Sequence, residues 1–125
     1  MWVFTEIGFF NAVATSEDPD TIMVRGRVRK DLERLQEALG NLGQEAPEIL
    51  QWKNRDYPYR ILLPRQTWSR LMEQLADGIA YPNFKSRVAA KDGFKRAGLY
   101  SRIWDVMLGA ERKLGLPQSN RSSYE

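Results

Sequence analysis

Three arginines, Arg25, Arg27 and Arg29, stand at alternate positions among apolar residues that also alternate (Ile22, Val24, Gly26 and Val28). That period of two predicts a strand over residues 21–28 with one buried face. The arginines then share the polar face, with neighbouring side chains ~6.5–7 Å apart. A planar guanidinium matches phosphate oxygens bidentately. Such a row suits a nucleotide, a cyclic dinucleotide or a nucleic-acid backbone. It equally suits a solvated face whose arginines pair with acids on a covering helix or a partner subunit.

Two further segments carry residues of the same kind. Asp56-Tyr57-Pro58-Tyr59-Arg60 places two tyrosines on one face of a strand and Arg60 on the other. The tyrosines fit a base-stacking platform or a core with hydroxyls at its edge. Tyr81-Pro82-Asn83-Phe84-Lys85 sets Asn83 and Lys85 at the start of a helix, where free N–H groups attract anions. Alternatively Asn83 caps, Phe84 packs inward and Lys85 is solvated. The expected binding residues are therefore Arg25, Arg27, Tyr57, Arg60, Tyr81, Asn83 and Lys85.

Catalytic machinery is harder to assemble. The chain has no histidine and no cysteine, which removes Ser-His-Asp arrangements, thiolate nucleophiles, disulfides and the usual zinc ligands. Glu17, Asp18 and Asp20 lack the spacing of a calcium loop and read as an acidic turn. Pro19-Asp20 with Gln51-Trp52-Lys53 is a degenerate version of the Pro-Asp…Glu-x-Lys pattern of Mg²⁺ nucleases. Gln51 replaces its second carboxylate. No metal, cofactor or catalytic residue is expected.

These residues need elements to hold them. Trp2–Thr5 and Gly8–Ala14 read as a hairpin joined at Glu6-Ile7-Gly8, with Gly8 suited to positive φ. After the strand at 21–28, Val28, Leu32, Leu35 and Leu39 recur at helical spacing, and Gly40 is a candidate stop. Residues 48–53 and 57–63 read as strands, with Pro58 at a strand start or edge. Trp68, Leu71, Met72, Leu75 and Ile79 form a helical apolar stripe. A short helix carrying Phe84, Val88 and Ala89 follows Asn83, and Asp92 or Gly93 ends it. A last helix presents Tyr100, Ile103, Trp104 and Met107 to the core. The order β-β-β-α-β-β-α-α-α predicts an α+β fold, with one antiparallel sheet of 4-5 strands under three to four helices.

At 125 residues, 42% hydrophobic and 28% charged, the chain has the composition of an ordinary globular protein. A single α+β domain over residues 1–114 and a flexible tail over 115–125 are expected. No apolar run approaches the ~20 residues that span a bilayer, and no basic leader opens the chain. A cytoplasmic protein without a membrane partner is the expectation. The net charge of +3 is unevenly spread. Residues 1–20 hold four acids and no base, while residues 81–102 hold six bases and one acid.

Several of these segments together resemble a family of small uncharacterised bacterial proteins. They are Met1-Trp2-Val3-Phe4-Thr5 with Gly8-Phe9-Phe10, Val24-Arg25-Gly26-Arg27-Val28-Arg29 with Asp31-Leu32, Asp56-Tyr57-Pro58-Tyr59-Arg60, and Tyr81-Pro82-Asn83-Phe84-Lys85. Tyr100 and Trp104 complete the set, which extends to about Leu108. The resemblance implies no activity, for the family has none assigned. Relatives often show histidines near the positions of Gly98 and Ser101, so histidine chemistry does not carry over.

The expected function is therefore non-enzymatic binding of an anionic ligand, a nucleotide-type molecule or nucleic acid, through the arginine row. The alternative is a protein-interaction or self-association module, such as an inhibitor, an accessory subunit or a homodimer. A Mg²⁺-dependent nuclease is the remaining reading.

Overall fold

The computed structural model describes residues 1–117. It shows the expected α+β fold, with five antiparallel strands and four helices in the order β-β-β-α-β-β-α-α-α. The chain divides into two compact units, Met1–Ile79 and a second beginning at Ala80. Each is described by itself.

The first unit is a sheet of β1 (Trp2–Thr5), β2 (Gly8–Ala14), β3 (Thr21–Gly26), β4 (Leu50–Gln51) and β5 (Tyr59–Pro64). Their spatial order is β1-β2-β3-β5-β4. The hairpin forms where expected, and the Thr5 hydroxyl closes it. That hydroxyl donates to the Gly8 carbonyl at 2.9 Å and accepts the N–H groups of Ile7 and Gly8, each at 3.2 Å. Gly8 has a φ of 154°, and a Cβ there would lie 2.5 Å from Cγ of Asp31. Asp31 is almost fully buried and accepts the Phe9 N–H at 3.1 Å. Glycine is therefore required by a carboxylate pressed against the backbone.

Helices α1 (Arg29–Asn41) and α2 (Arg65–Asp77) cover one face of this sheet. Leu32, Leu35 and Leu39 of α1 join Trp68 and Leu71 of α2 in the core, over Phe10, Ala12, Ile22, Val24, Ile61 and Leu63. Strand pairing aligns Ala12 with Val24 and Val24 with Ile61, so the core face runs across three strands. The ring of Phe10 meets Trp68 edge-on at 6.5 Å.

Three expectations are corrected here. First, β3 ends at Gly26, and the chain turns through Arg27-Val28 into α1. Arg29 is thus a helical residue paired with Glu33 at 3.3 Å, not the third member of a strand row. The alternation of Val28 and Arg29 survives only in sequence, because a Cβ at Gly26 would collide with Leu32, and glycine lets the helix fold back there. Second, α1 continues through Gly40, and positive φ falls on Gly43 at 76°. Third, α2 stops at Asp77, which leaves Ile79 outside its stripe and 57% exposed.

The second unit consists of α3 (Phe84–Leu108), broken at Gly93, and α4 (Ala110–Lys113). Gly93 takes φ 88° and ψ 171°, a conformation open essentially to glycine alone. It splits α3 into two helices folded on each other. Phe84 stacks on Tyr100 at 5.9 Å, and the Lys85 ammonium sits 4.6 Å over the Trp104 ring. Residues 118–125 of the expected tail lie outside the described residues.

Candidate anion-binding face

Because side chains alternate along a strand, the sheet face opposite α1 and α2 receives every other residue of β1, β2, β3 and β5. The pairing register sets Trp2 opposite Asn11, Asn11 opposite Arg25, Arg25 opposite Arg60, and Arg60 opposite Leu50. One row thus crosses all five strands. Trp2 and Phe4 flank Phe9 on the same face. Phe4 stacks on it at 4.4 Å, and Trp2 meets it edge-on at 6.4 Å.

Arg25 and Arg60 are direct cross-strand neighbours, and among the described residues neither has a carboxylate partner. The Arg25 guanidinium lies 4.9 Å from the Tyr57 ring centroid, and its buried Nε has no hydrogen-bond partner. Arg60 donates from Nε to the Tyr57 carbonyl at 3.2 Å and from Nη1 to the Met23 sulfur at 3.3 Å. Its guanidinium also rests 4.4 Å over the Trp52 ring. Burial, and then the Arg25 and Arg55 cations, push the Arg60 guanidinium below its ordinary value. The cation is held among its own kind.

Arg27 is differently employed. It donates to the Asp56 carboxylate at 2.7 Å and to the Asp56 carbonyl at 2.9 Å, and lies 4.5 Å over the Tyr57 ring. The hydrogen bond to Asp56 raises its pKa above the usual arginine range. Both partners are well exposed, so the pair contributes little to stability. Tyr57 itself is buried and takes guanidiniums on its ring, so it orients arginines where stacking on a base was expected.

Of the seven expected residues, Arg25, Arg27, Tyr57 and Arg60 come together in the first unit. Tyr81, Asn83 and Lys85 belong to the second. There Tyr81 packs 6.1 Å from Phe84, and the Asn83 side chain accepts the Ser86 N–H at 2.9 Å as a helix cap. Lys85 stacks on Trp104. All three do local structural work.

The residues that sequence reading missed are Trp2, Asn11 and Trp52. Trp2 is 70% exposed, Trp52 is 44% exposed, and Asn11 is buried in the row between Trp2 and Arg25 with Oδ1 unpartnered. The alternation of Trp2, Phe4, Phe9 and Asn11 against Val3 and Phe10 carried the signal for the first two.

The acidic turn is self-contained. Asp18 accepts the Asp20 N–H at 2.9 Å and the Thr21 hydroxyl at 2.8 Å, and these bonds lower its pKa. No cluster of three metal-ligating side chains occurs among the described residues. Asp20 precedes β3, whereas Gln51 aligns through Tyr59 with Gly26 at its far end, some ~17 Å along the strand. The two cannot share one Mg²⁺. A cleft of about 260 Å³ between α1 and α2, lined by Ile7, Ala38, Leu71 and Leu75, holds none of the seven residues.

No family model, curated protein or solved structure matches this chain.

Proposed function

We propose that the protein is a non-enzymatic binding domain for a phosphate-bearing ligand, held on the sheet face by Arg25 and Arg60. The observation that carries this reading is the cross-strand pair of arginines with no carboxylate partner among the described residues. Like charges directly opposite destabilise a sheet. An anion lying across both would relieve that repulsion and accept hydrogen bonds from the Arg25 guanidinium, which has no carboxylate partner among the described residues. Tyr57 and Trp52 hold the two guanidinium planes in place, which lowers the entropy lost on binding.

A thermal-shift series against nucleoside mono-, di- and triphosphates and short oligonucleotides tests it. At ~100 times its dissociation constant a ligand stabilises by ~2.7 kcal/mol, which is several degrees for a domain of this size. The shift should shrink with added salt and disappear in the Arg25→Gln and Arg60→Gln proteins. A salt-insensitive shift, or one that both variants retain, counts against the reading.

A second reading has its own observation. In α3, Leu99, Ile103, Val106 and Met107 follow i, i+4, i+7 and i+8 spacing and are 54%, 36%, 73% and 63% exposed. Ile103 and Met107 were expected in the core. Residues 84–92 meet the second half of α3 at Tyr100 and Trp104, through Phe84 and Lys85. An apolar stripe of this kind suits a protein interface. Light scattering tests self-association: a dimer that Val106→Glu converts to monomer supports it, and a monomer at high concentration opposes it.

A further inference from the structure

We infer that the ligand of the sheet face is a single-stranded nucleic acid, laid across the strands from Trp2 towards Trp52. The inference rests on the anion-binding reading above and narrows it to one class of molecule.

The dimensions are the first argument. The row from Trp2 through Asn11, Arg25 and Arg60 to Leu50 crosses four strand-to-strand gaps. At ~4.8 Å each these span about 19 Å. A mononucleotide occupies only part of that length, whereas several linked nucleotides fill it. Phosphate charge would meet Arg25 and Arg60 in the middle of the row.

The second argument is what stands at the two ends. Trp2 is 70% exposed, so much of its indole meets solvent although its neighbour Phe9 packs edge-on against it. Trp52 is 44% exposed and carries the Arg60 guanidinium over its ring. Indoles and stacked guanidiniums are surfaces on which unpaired bases stack, with little regard to sequence. A duplex keeps its base faces inside its own stack and offers a flat face its phosphates and groove edges, with no ring to stack on. Aromatics at both ends of a basic row therefore favour an unpaired strand.

Fluorescence anisotropy with labelled 12-residue oligothymidylate and oligouridylate provides the test, with a thymidine mononucleotide and a 12-base-pair duplex as competitors. The two oligonucleotides separate DNA from RNA. Each competitor should be at least tenfold weaker than the unlabelled strand. Trp2→Ala should weaken strand binding roughly 5- to 100-fold, the usual effect of losing one stacked base. Trp2→Phe, which keeps a ring, should restore most of it, and melting curves establish that both variants fold. If the mononucleotide competes equally and Trp2→Ala changes nothing while Arg25→Gln still abolishes binding, this inference falls and the anion-binding reading stands. If duplex and strand compete equally, the inference also falls. If neither strand nor mononucleotide binds, both fall together.

Discussion

Arg25 and Arg60 face each other across β3 and β5 with no carboxylate partner among the described residues, and each guanidinium is held instead by an aromatic ring. This arrangement lets the proposed binding be tested apart from folding. Arg25→Gln removes one of two repelling charges and one ring contact, each worth up to ~1 kcal/mol. Urea unfolding should therefore change by less than ~1 kcal/mol. Oligonucleotide affinity should fall at least tenfold, and the slope of log affinity against log salt should drop by ~1.

Asp56 neutralises Arg27, which lies over the same tyrosine as Arg25. Asp56→Asn would leave that cation uncompensated. Anion binding should become tighter at low salt, by roughly 2- to 5-fold for a pair worth up to ~1 kcal/mol. The gain should vanish near 0.5 M salt, where screening is strong. An isothermal titration at two ionic strengths reads both effects.

Asn11 carries a buried oxygen without a hydrogen-bond partner between Trp2 and Arg25 in the row. An unmade hydrogen bond of this kind costs ~1–3 kcal/mol. Asn11→Leu keeps the side chain's branching and heavy-atom count without a polar atom, so where the site admits the bulkier methyl groups its urea midpoint should equal or exceed that of the parent protein. A clear loss of stability would mean that the amide makes a bond worth keeping.

Gly8 and Gly40 predict opposite outcomes for the same substitution. Gly8→Ala forces a methyl group against Asp31 and should cost about 2–3 kcal/mol. Gly40 lies within α1, and a Cβ there meets nothing within 4 Å. Gly40→Ala should stabilise by ~0.5–1 kcal/mol through helix propensity. Parallel denaturant titrations compare them.

Asp18 titrates below the ordinary aspartate value, because the Asp20 N–H and the Thr21 hydroxyl bond its carboxylate form. A lowered folded-state pKa stabilises above the unfolded value, and that stabilisation is lost as pH falls through the folded value. Carbon-13 titration of the side-chain carboxyl should place Asp18 below ~3.9. The Thr21→Val protein should move it back towards that value.

The elements whose pattern is local were legible in the sequence. Thr5 and Gly8 mark the hairpin, Ile22 and Val24 the buried face of β3, and Leu32, Leu35 and Leu39 the face of α1. Arg25, Tyr57 and Arg60 could be singled out by type, but their grouping depends on β5 pairing with β3, some 33 to 43 residues away in sequence. Alternation carries no such information. For the same reason the end of β3 was misplaced, since Arg27, Val28 and Arg29 continue a strand pattern while Gly26 and Leu32 require a turn. Met107 has helical spacing from Tyr100, but only the break at Gly93 decides how far the facing helix reaches.

The insertion of β5 between β3 and β4 also dictates an order of assembly. The hairpin of β1 and β2 and its neighbour β3 are built from consecutive residues, so they can pair as the chain emerges. Until Tyr59–Pro64 arrives, β3 is a bare edge, and Arg25 has neither Arg60 nor Tyr57 beside it. Pairing β5 with β3 closes a long loop, an entropic cost that the hairpin does not carry, and the same step assembles the proposed binding surface and covers the open edge. A nascent chain halted before Tyr57 would thus lack the Arg25–Arg60 pair and expose an edge prone to pair with its neighbours.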